Sequence, residues 1–139
     1  MKEPAYAPTA ASALAFGRAG LLEEWLQAFL RNEGNNIPFA DGLLLAPRRY
    51  HAPARMPLSG LTRCCGPEPD MAFPVDRAGF ERRVQSLMET LRLDEWDMPP
   101  LIVQRHADGR LTLNDGNHRF EALRRLGVGD AWVLLWETL

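Results

Sequence analysis

Hydrophobic positions along the chain fall into a few clear rhythms. Between residues 20 and 31, Leu21, Leu22, Trp25, Leu26, Phe29 and Leu30 recur at helical spacing, with Glu23, Glu24, Gln27 and Arg31 opposite, which predicts an amphipathic helix. Gly34 supplies its stop. A second stripe of Phe80, Val84, Leu87, Met88 and Leu91 predicts a helix over about 76–93, with Asp76 as N-cap. After Pro99-Pro100 the period changes. Leu101-Ile102-Val103 is rich in β-formers, Asp108-Gly109 is a hairpin signal, and Leu111-Thr112-Leu113 returns as the partner strand. A loop over 114–117 leads into a helix over about 117–126 with Phe120, Leu123 and Leu126 inward. Gly127 and Gly129 end it, and 131–136 reads as an apolar, central strand. Together these predict an α+β fold: one small mixed-sheet domain preceded by helices.

Two stretches break the rhythm. Residues 1–19 are rich in Ala and Pro with weak periodicity, so a flexible arm is expected there, with 20–139 as the single domain. Within 35–74, seven prolines from Pro38 to Pro74 cut the chain into short pieces. Leu43-Leu44-Leu45 is its one candidate strand. A loop-rich stretch this long usually has a functional cause or wraps the core. Its Asn35-Asn36, Arg48-Arg49, His51, Arg63, Cys64, Cys65 and Glu68 could reach a site formed elsewhere.

Composition narrows the classes. A length of 139 residues suits one domain, and 46% hydrophobic with 24% charged residues is ordinary globular usage. No run approaches eighteen apolar residues, and residues 1–19 lack the charged head and apolar run of a secretory signal, so a cytoplasmic protein is expected. A net charge of −2 and a pI near 5.9 argue against broad nucleic-acid binding. Lys2 is the only lysine; arginine suits forked recognition of phosphate, although the base composition of a genome accounts for such usage equally well. Cys64 and Cys65 are the only cysteines, too few for a disulfide framework or a zinc site, and read as reduced structural thiols, with a redox or substrate-contacting role as the alternative.

The candidate chemistry sits at Asp115-Gly116-Asn117-His118-Arg119. There a strand ends, an Asp-Gly pair turns the chain, and a helix begins within two residues. The free N–H groups of that first turn and the positive end of the helix dipole make a ready anion site. Gly116 lets the backbone approach a ligand, Arg119 can fork onto phosphate oxygens, and His118 can donate a hydrogen bond or add a cation. Asp115 can contact a hydroxyl, ligate Mg²⁺ or act as general base. Taken one at a time, each has a plainer role: a turn at Asp115-Gly116, a cap at His118, a pairing of Arg119 with Glu121 or Glu137. Taken together they favour a ligand site.

Residues 98–137 resemble the core of the ParB/sulfiredoxin superfamily. The resemblance rests on Pro100-Leu101-Ile102-Val103, the hairpin, the run from Leu113-Asn114-Asp115-Gly116-Asn117-His118-Arg119 to Phe120-Glu121-Ala122-Leu123, then Gly127 and an apolar strand. It implies nucleotide binding, with phosphates on the loop and helix N-terminus and Gly116, Asn117, His118 and Arg119 as contacts. The family includes sulfiredoxins that use ATP, partition proteins that bind CTP and DNA, and kinases acting on free serine. Where sulfiredoxins place their catalytic Cys this chain has Asn117, which cannot serve as a thiolate. Partition proteins continue into a DNA-binding region, whereas this chain ends at Leu139 and is acidic.

The reading that follows is a domain binding ATP or another nucleotide with Mg²⁺, transferring phosphate to a small-molecule or protein acceptor. Asp115 and His118 are its catalytic candidates and Asp115 its metal ligand, with Arg63 and Glu68 as weaker candidates to complete the site. A non-catalytic nucleotide-sensing or protein-interaction module is the alternative, supported by Trp132 and Trp136 if the last strand is an uncovered edge. A ParB-like nuclease comes third and needs further carboxylates near Asp115 and Glu121. DNA and membrane partners are not expected.

Overall fold

The structure is a computed structural model and describes residues 3–93 and 95–139. Helices α1 (Ala10–Arg18), α2 (Leu22–Arg31) and α3 (Ile37–Leu43) come first, followed by short strands β1 (Arg48–Tyr50), β2 (Ala54–Pro57), β3 (Thr62–Arg63), β4 (Cys65–Gly66) and β5 (Phe73–Pro74). Helix α4 (Arg77–Arg92), strands β6 (Leu101–Arg105) and β7 (Leu111–Asp115), helix α5 (Asn117–Arg125) and strand β8 (Asp130–Thr138) complete the α+β chain.

The main sheet is mixed. Its order is β1-β8-β6-β7-β3, with β2 also on β8. The hairpin of β6 and β7 is antiparallel, while β8 runs parallel to β6 after the crossover through α5. Strand β8 is therefore central, as its apolar run implied, and not the uncovered edge that would have turned Trp132 and Trp136 outward for a partner. Trp136 is buried, and Arg55 lies over the Trp132 ring.

Alternation along the strands divides the interior in two. Leu101, Val103, Leu113 and Val133 pack with Phe120 and Leu123 on one face. Ile102, Leu134 and Trp136 pack on the other with Trp25, Leu26, Phe29 and Leu30 of α2. Helix α4 packs on α5 through Phe80, Val84, Met88 and Ala122; its N-cap is Asp76, whose carboxylate accepts from the Gly79 amide at 2.7 Å.

Two stretches differ from the sequence-based expectation. Residues 10–18, within the segment expected as a loose arm, form α1, whose Ala13 and Phe16 join the core. The Trp25 indole also donates to the Ala7 carbonyl at 3.1 Å. Small apolar residues give α1 little periodic contrast, so only packing reveals its buried side. Leu43-Leu44-Leu45 is not a strand: Pro38 opens a helix in its first turn, Leu43 is buried at the far end, and Leu44 and Leu45 are exposed.

Candidate anion-binding cleft

At the carboxyl end of β7 the chain turns through Gly116, whose φ of +96° is the left-handed region that glycine enters freely. A Cβ there would lie 2.7 Å from Leu101 Cδ2 and 2.8 Å from Arg119 Nη2. Helix α5 starts immediately and has no side-chain cap, so its first amides have no intrahelical acceptor. Gly116, Asn117, His118 and Arg119 line a cleft of about 1280 Å³.

The walls come from distant parts of the chain. The loop from α2 to α3 contributes Asn35 and Asn36, the β4–β5 ribbon contributes Cys64, Cys65 and Phe73, α4 contributes Arg83 and Leu87, and the connector before β6 contributes Trp96 and Pro99. Asn35 sits at φ +46°, a region that Asn tolerates better than most residues. Asn36 Nδ2 reaches Asp115 Oδ1 at 3.4 Å. Of the residues in 35–74 singled out from sequence, Asn35, Asn36, Arg48, Cys64 and Cys65 line this cleft. Arg63 and Glu68 pair with each other and line a separate small cavity. His51 pairs with Glu137.

Within the loop, the side chains take different tasks. Asn117 is buried, and its Oδ1 accepts from the amides of Cys64 at 3.0 Å and Cys65 at 3.1 Å. Its Nδ2 donates to the Leu113 carbonyl at 3.4 Å. One carboxamide thus pins the β4–β5 ribbon against the start of α5. This brings Cys64 Sγ to 3.8 Å from Asn117 Nδ2. Sequence separation gave no hint of that approach. Burial raises the pKa of both thiols above the ordinary cysteine value, which keeps them protonated and poorly nucleophilic at neutral pH.

Arg119 is buried too. Its Nη1 donates to the Pro99 carbonyl, its Nη2 lies 3.4 Å from Asp115 Oδ2, and its guanidinium sits over the Phe29 ring. The pairings considered from sequence go elsewhere: Glu121 holds Arg124 and Arg125, and Glu137 holds His51 and Arg105. Burial pushes the Asp115 carboxyl up, against the opposing pull of Arg119 and the Asn36 amide. The guanidinium remains the cation of this pair, because arginine does not deprotonate in proteins.

His118 packs its ring against Phe80 at 4.8 Å. Burial, then the positive charges of Arg83 and Arg63, lower its pKa below the ordinary 6.5. Arg83 is exposed, lines the cleft, and has no ion-pair partner among the described residues. It was not singled out from sequence, being one of several arginines on an exposed helical face; only the packing of α4 on α5 sets it apart.

Among the described residues no three His, Cys, Asp or Glu side chains converge to hold a metal. Asp115 therefore belongs to no such group, and the carboxylate cluster that a nuclease would need is missing from the described residues. No described helix is long and apolar enough to cross a membrane.

No family model matches the chain, and no curated protein matches it. Solved structures do. A sulfiredoxin from Arabidopsis thaliana aligns over 60% of this chain and 82% of its own, at 24% identity and a TM-score of 0.45. The ParB chromosome-partitioning protein from Caulobacter crescentus, in complex with CTP-γ-S, aligns over 61% of this chain at 21% identity and a TM-score of 0.47. A Pnob8-like ParB-N domain aligns over 66% at 18% identity and a TM-score of 0.40. These neighbours are ParB/sulfiredoxin-like folds. The likeness is one of fold. The alignments span 44% of the Caulobacter chain and 30% of the Pnob8-like chain.

Proposed function

We propose that the chain binds a nucleoside di- or triphosphate, with the phosphates seated on the first turn of α5. The observation that carries this reading is the uncapped start of α5 at Gly116, lining a large cleft beside Arg83, which has no ion-pair partner among the described residues. Helix amides and dipole favour an anion there, and Arg83 adds an exposed cation. His118 is neutral when the site is empty and gains a proton more readily beside phosphate. The resemblance of residues 98–137 to the ParB/sulfiredoxin core selects a nucleotide over other anions.

In this reading Arg119 and Asn117 shape the site. The Asp115–Arg119 pair and the Pro99 carbonyl hold the loop, and Asn117 holds the ribbon wall, so the ligand meets backbone amides, His118 and Arg83. Asp115 orients an acceptor hydroxyl or contacts the ligand's Mg²⁺ if phosphate is transferred. Because it belongs to no metal-holding cluster among the described residues, any Mg²⁺ arrives with the nucleotide, which commonly supplies most of that ion's ligands. Phosphoryl transfer depends mainly on positioning and charge stabilisation, and ATP with a small-molecule or protein acceptor is the version to assay.

Thermal shift with ATP, ADP, CTP and GTP, each with and without Mg²⁺, tests the reading. At least one nucleotide should raise Tm by several degrees when present at about 100 times Kd, a stabilisation of about 2.7 kcal/mol. Arg83→Ala should keep the unliganded Tm and weaken binding about tenfold, the loss of one charge-assisted contact of about 1.4 kcal/mol. No shift with any nucleotide would overturn the proposal.

A further inference from the structure

Beyond Asp115 the floor of the cleft changes character. Gln104 lies opposite Thr112 on β7 and Trp136 on β8, and Asn114 follows two residues after Thr112. These positions belong to the sheet face of Ile102, Leu134 and Trp136, which is otherwise apolar and covered by the first helices. At Gln104, Thr112 and Asn114 that cover is missing: all three are half-buried and line the cleft. Half-buried polar groups cost free energy unless they find partners.

The hydrogen bonds already made show what is left over. Trp136 Nε1, which can only donate, gives to Asn114 Oδ1 at 2.9 Å. The Asn114 Nδ2 is thereby left with no partner among the described residues. Thr112 Oγ1 is engaged by His106 Nε2 at 2.7 Å. The Gln104 amide has no partner among the described residues and keeps a donor and an acceptor side by side. The cation at this end, Arg48, donates to the Leu43 and Gly42 carbonyls and to Thr138 and lies over the Trp136 ring. The unpartnered carboxamide atoms of Gln104 and Asn114 carry no formal charge and suit an uncharged, hydrogen-bonding group.

The strip runs directly into the anion end. Four residues of strand at about 3.3 Å each put Thr112 roughly 13 Å from Gly116, within the span of an extended ligand. We infer that Gln104 and Asn114, with Thr112 between them, bind the uncharged half of the nucleotide, its sugar hydroxyls and the hydrogen-bonding edge of its base. Carboxamides suit this task, since one side chain offers the paired donor and acceptor that a base edge presents. Phe39 and Trp136, with ring centroids 6.0 Å apart, close this end with an apolar wall. The inference rests on the nucleotide reading above and adds where selectivity among nucleotides resides.

The test is calorimetric titration of the full chain with ATP, CTP, GTP, UTP and sodium tripolyphosphate, in the wild type and in Gln104→Met. The preferred nucleotide should bind more tightly than tripolyphosphate, and Gln104→Met should weaken that nucleotide about tenfold. The tripolyphosphate titration, weak or strong, should be the same in both proteins. Thr112→Val serves as a second variant with the same expected pattern. A nucleotide Kd unchanged in both variants, equal losses on nucleotide and tripolyphosphate, or tripolyphosphate binding as tightly as every nucleotide would overturn the inference and leave the phosphate site standing. Absence of binding by all five ligands would overturn the nucleotide reading itself, and this inference with it.

Discussion

Single residues show how burial divides labour in the loop. Sequence presents His118 and Arg119 as adjacent cations aimed at one anion, but the fold separates them. Arg119 turns inward onto Pro99, Asp115 and Phe29, while His118 stays half-exposed beside Arg83. No local pattern distinguishes the two, because two of the partners that claim Arg119, the Pro99 carbonyl and the Phe29 ring, lie 20 or more positions away. His118 is the better reporter of ligand. Its pKa in the free protein lies below the unfolded value of about 6.5, so it favours the native state above that pH and disfavours it as pH falls through the folded value. A bound phosphate reverses the sign by favouring the imidazolium, so affinity should rise as pH is lowered through that range. NMR titration of the His118 ring should give a pKa below 6.5 without ligand and a higher one with tripolyphosphate. An unmoved pKa would place the anion elsewhere.

Elements were legible where their apolar stripes are strong. The stripes of α2 and α4, the hairpin of β6 and β7, and the apolar run of β8 all carry their own periodicity. Helix α1 is mostly small residues, α3 is seven residues long, and β3 to β5 are two residues each, so packing alone decides them. The ribbon of β4 and β5 depends on tertiary contact in the same way. Its amides at Cys64 and Cys65 find their acceptor on Asn117, more than fifty residues on, and no rule of sequence spacing could supply that pairing. Asn117→Ala leaves both donors without that acceptor, at a cost of about 2 kcal/mol or more. Denaturant unfolding should show that loss, and hydrogen exchange at residues 64–66 should accelerate more than exchange across β6 and β8. If exchange rose evenly across the sheet, Asn117 would be a general stabiliser and not the fastener of this wall.

At the scale of the whole molecule, the cleft exists because one sheet face is covered unevenly. The first three helices close it over Ile102, Leu134 and Trp136 and stop short of Gln104, Thr112 and Asn114. The candidate loop was visible in sequence because strand, glycine and helix start are contiguous there. The rest of the cleft was invisible because its walls come from segments far apart in the chain. Helix α4 matters most for charge: packed on α5 through Phe80 and Val84, it sets Arg83 beside His118, and Arg125 braces the two helices by pairing with both Glu81 and Glu121. The central claim is that a ligand's phosphates rest on the first amides of α5. Two-dimensional ¹H–¹⁵N spectra of the uniformly labelled chain, recorded during titration with ATP and with tripolyphosphate, test it most directly. The expected result is that the amide resonances of Asn117, His118 and Arg119 move furthest, and in the same direction, with both ligands. Shifts confined to surfaces away from α5, or no shifts at millimolar ligand, would contradict it.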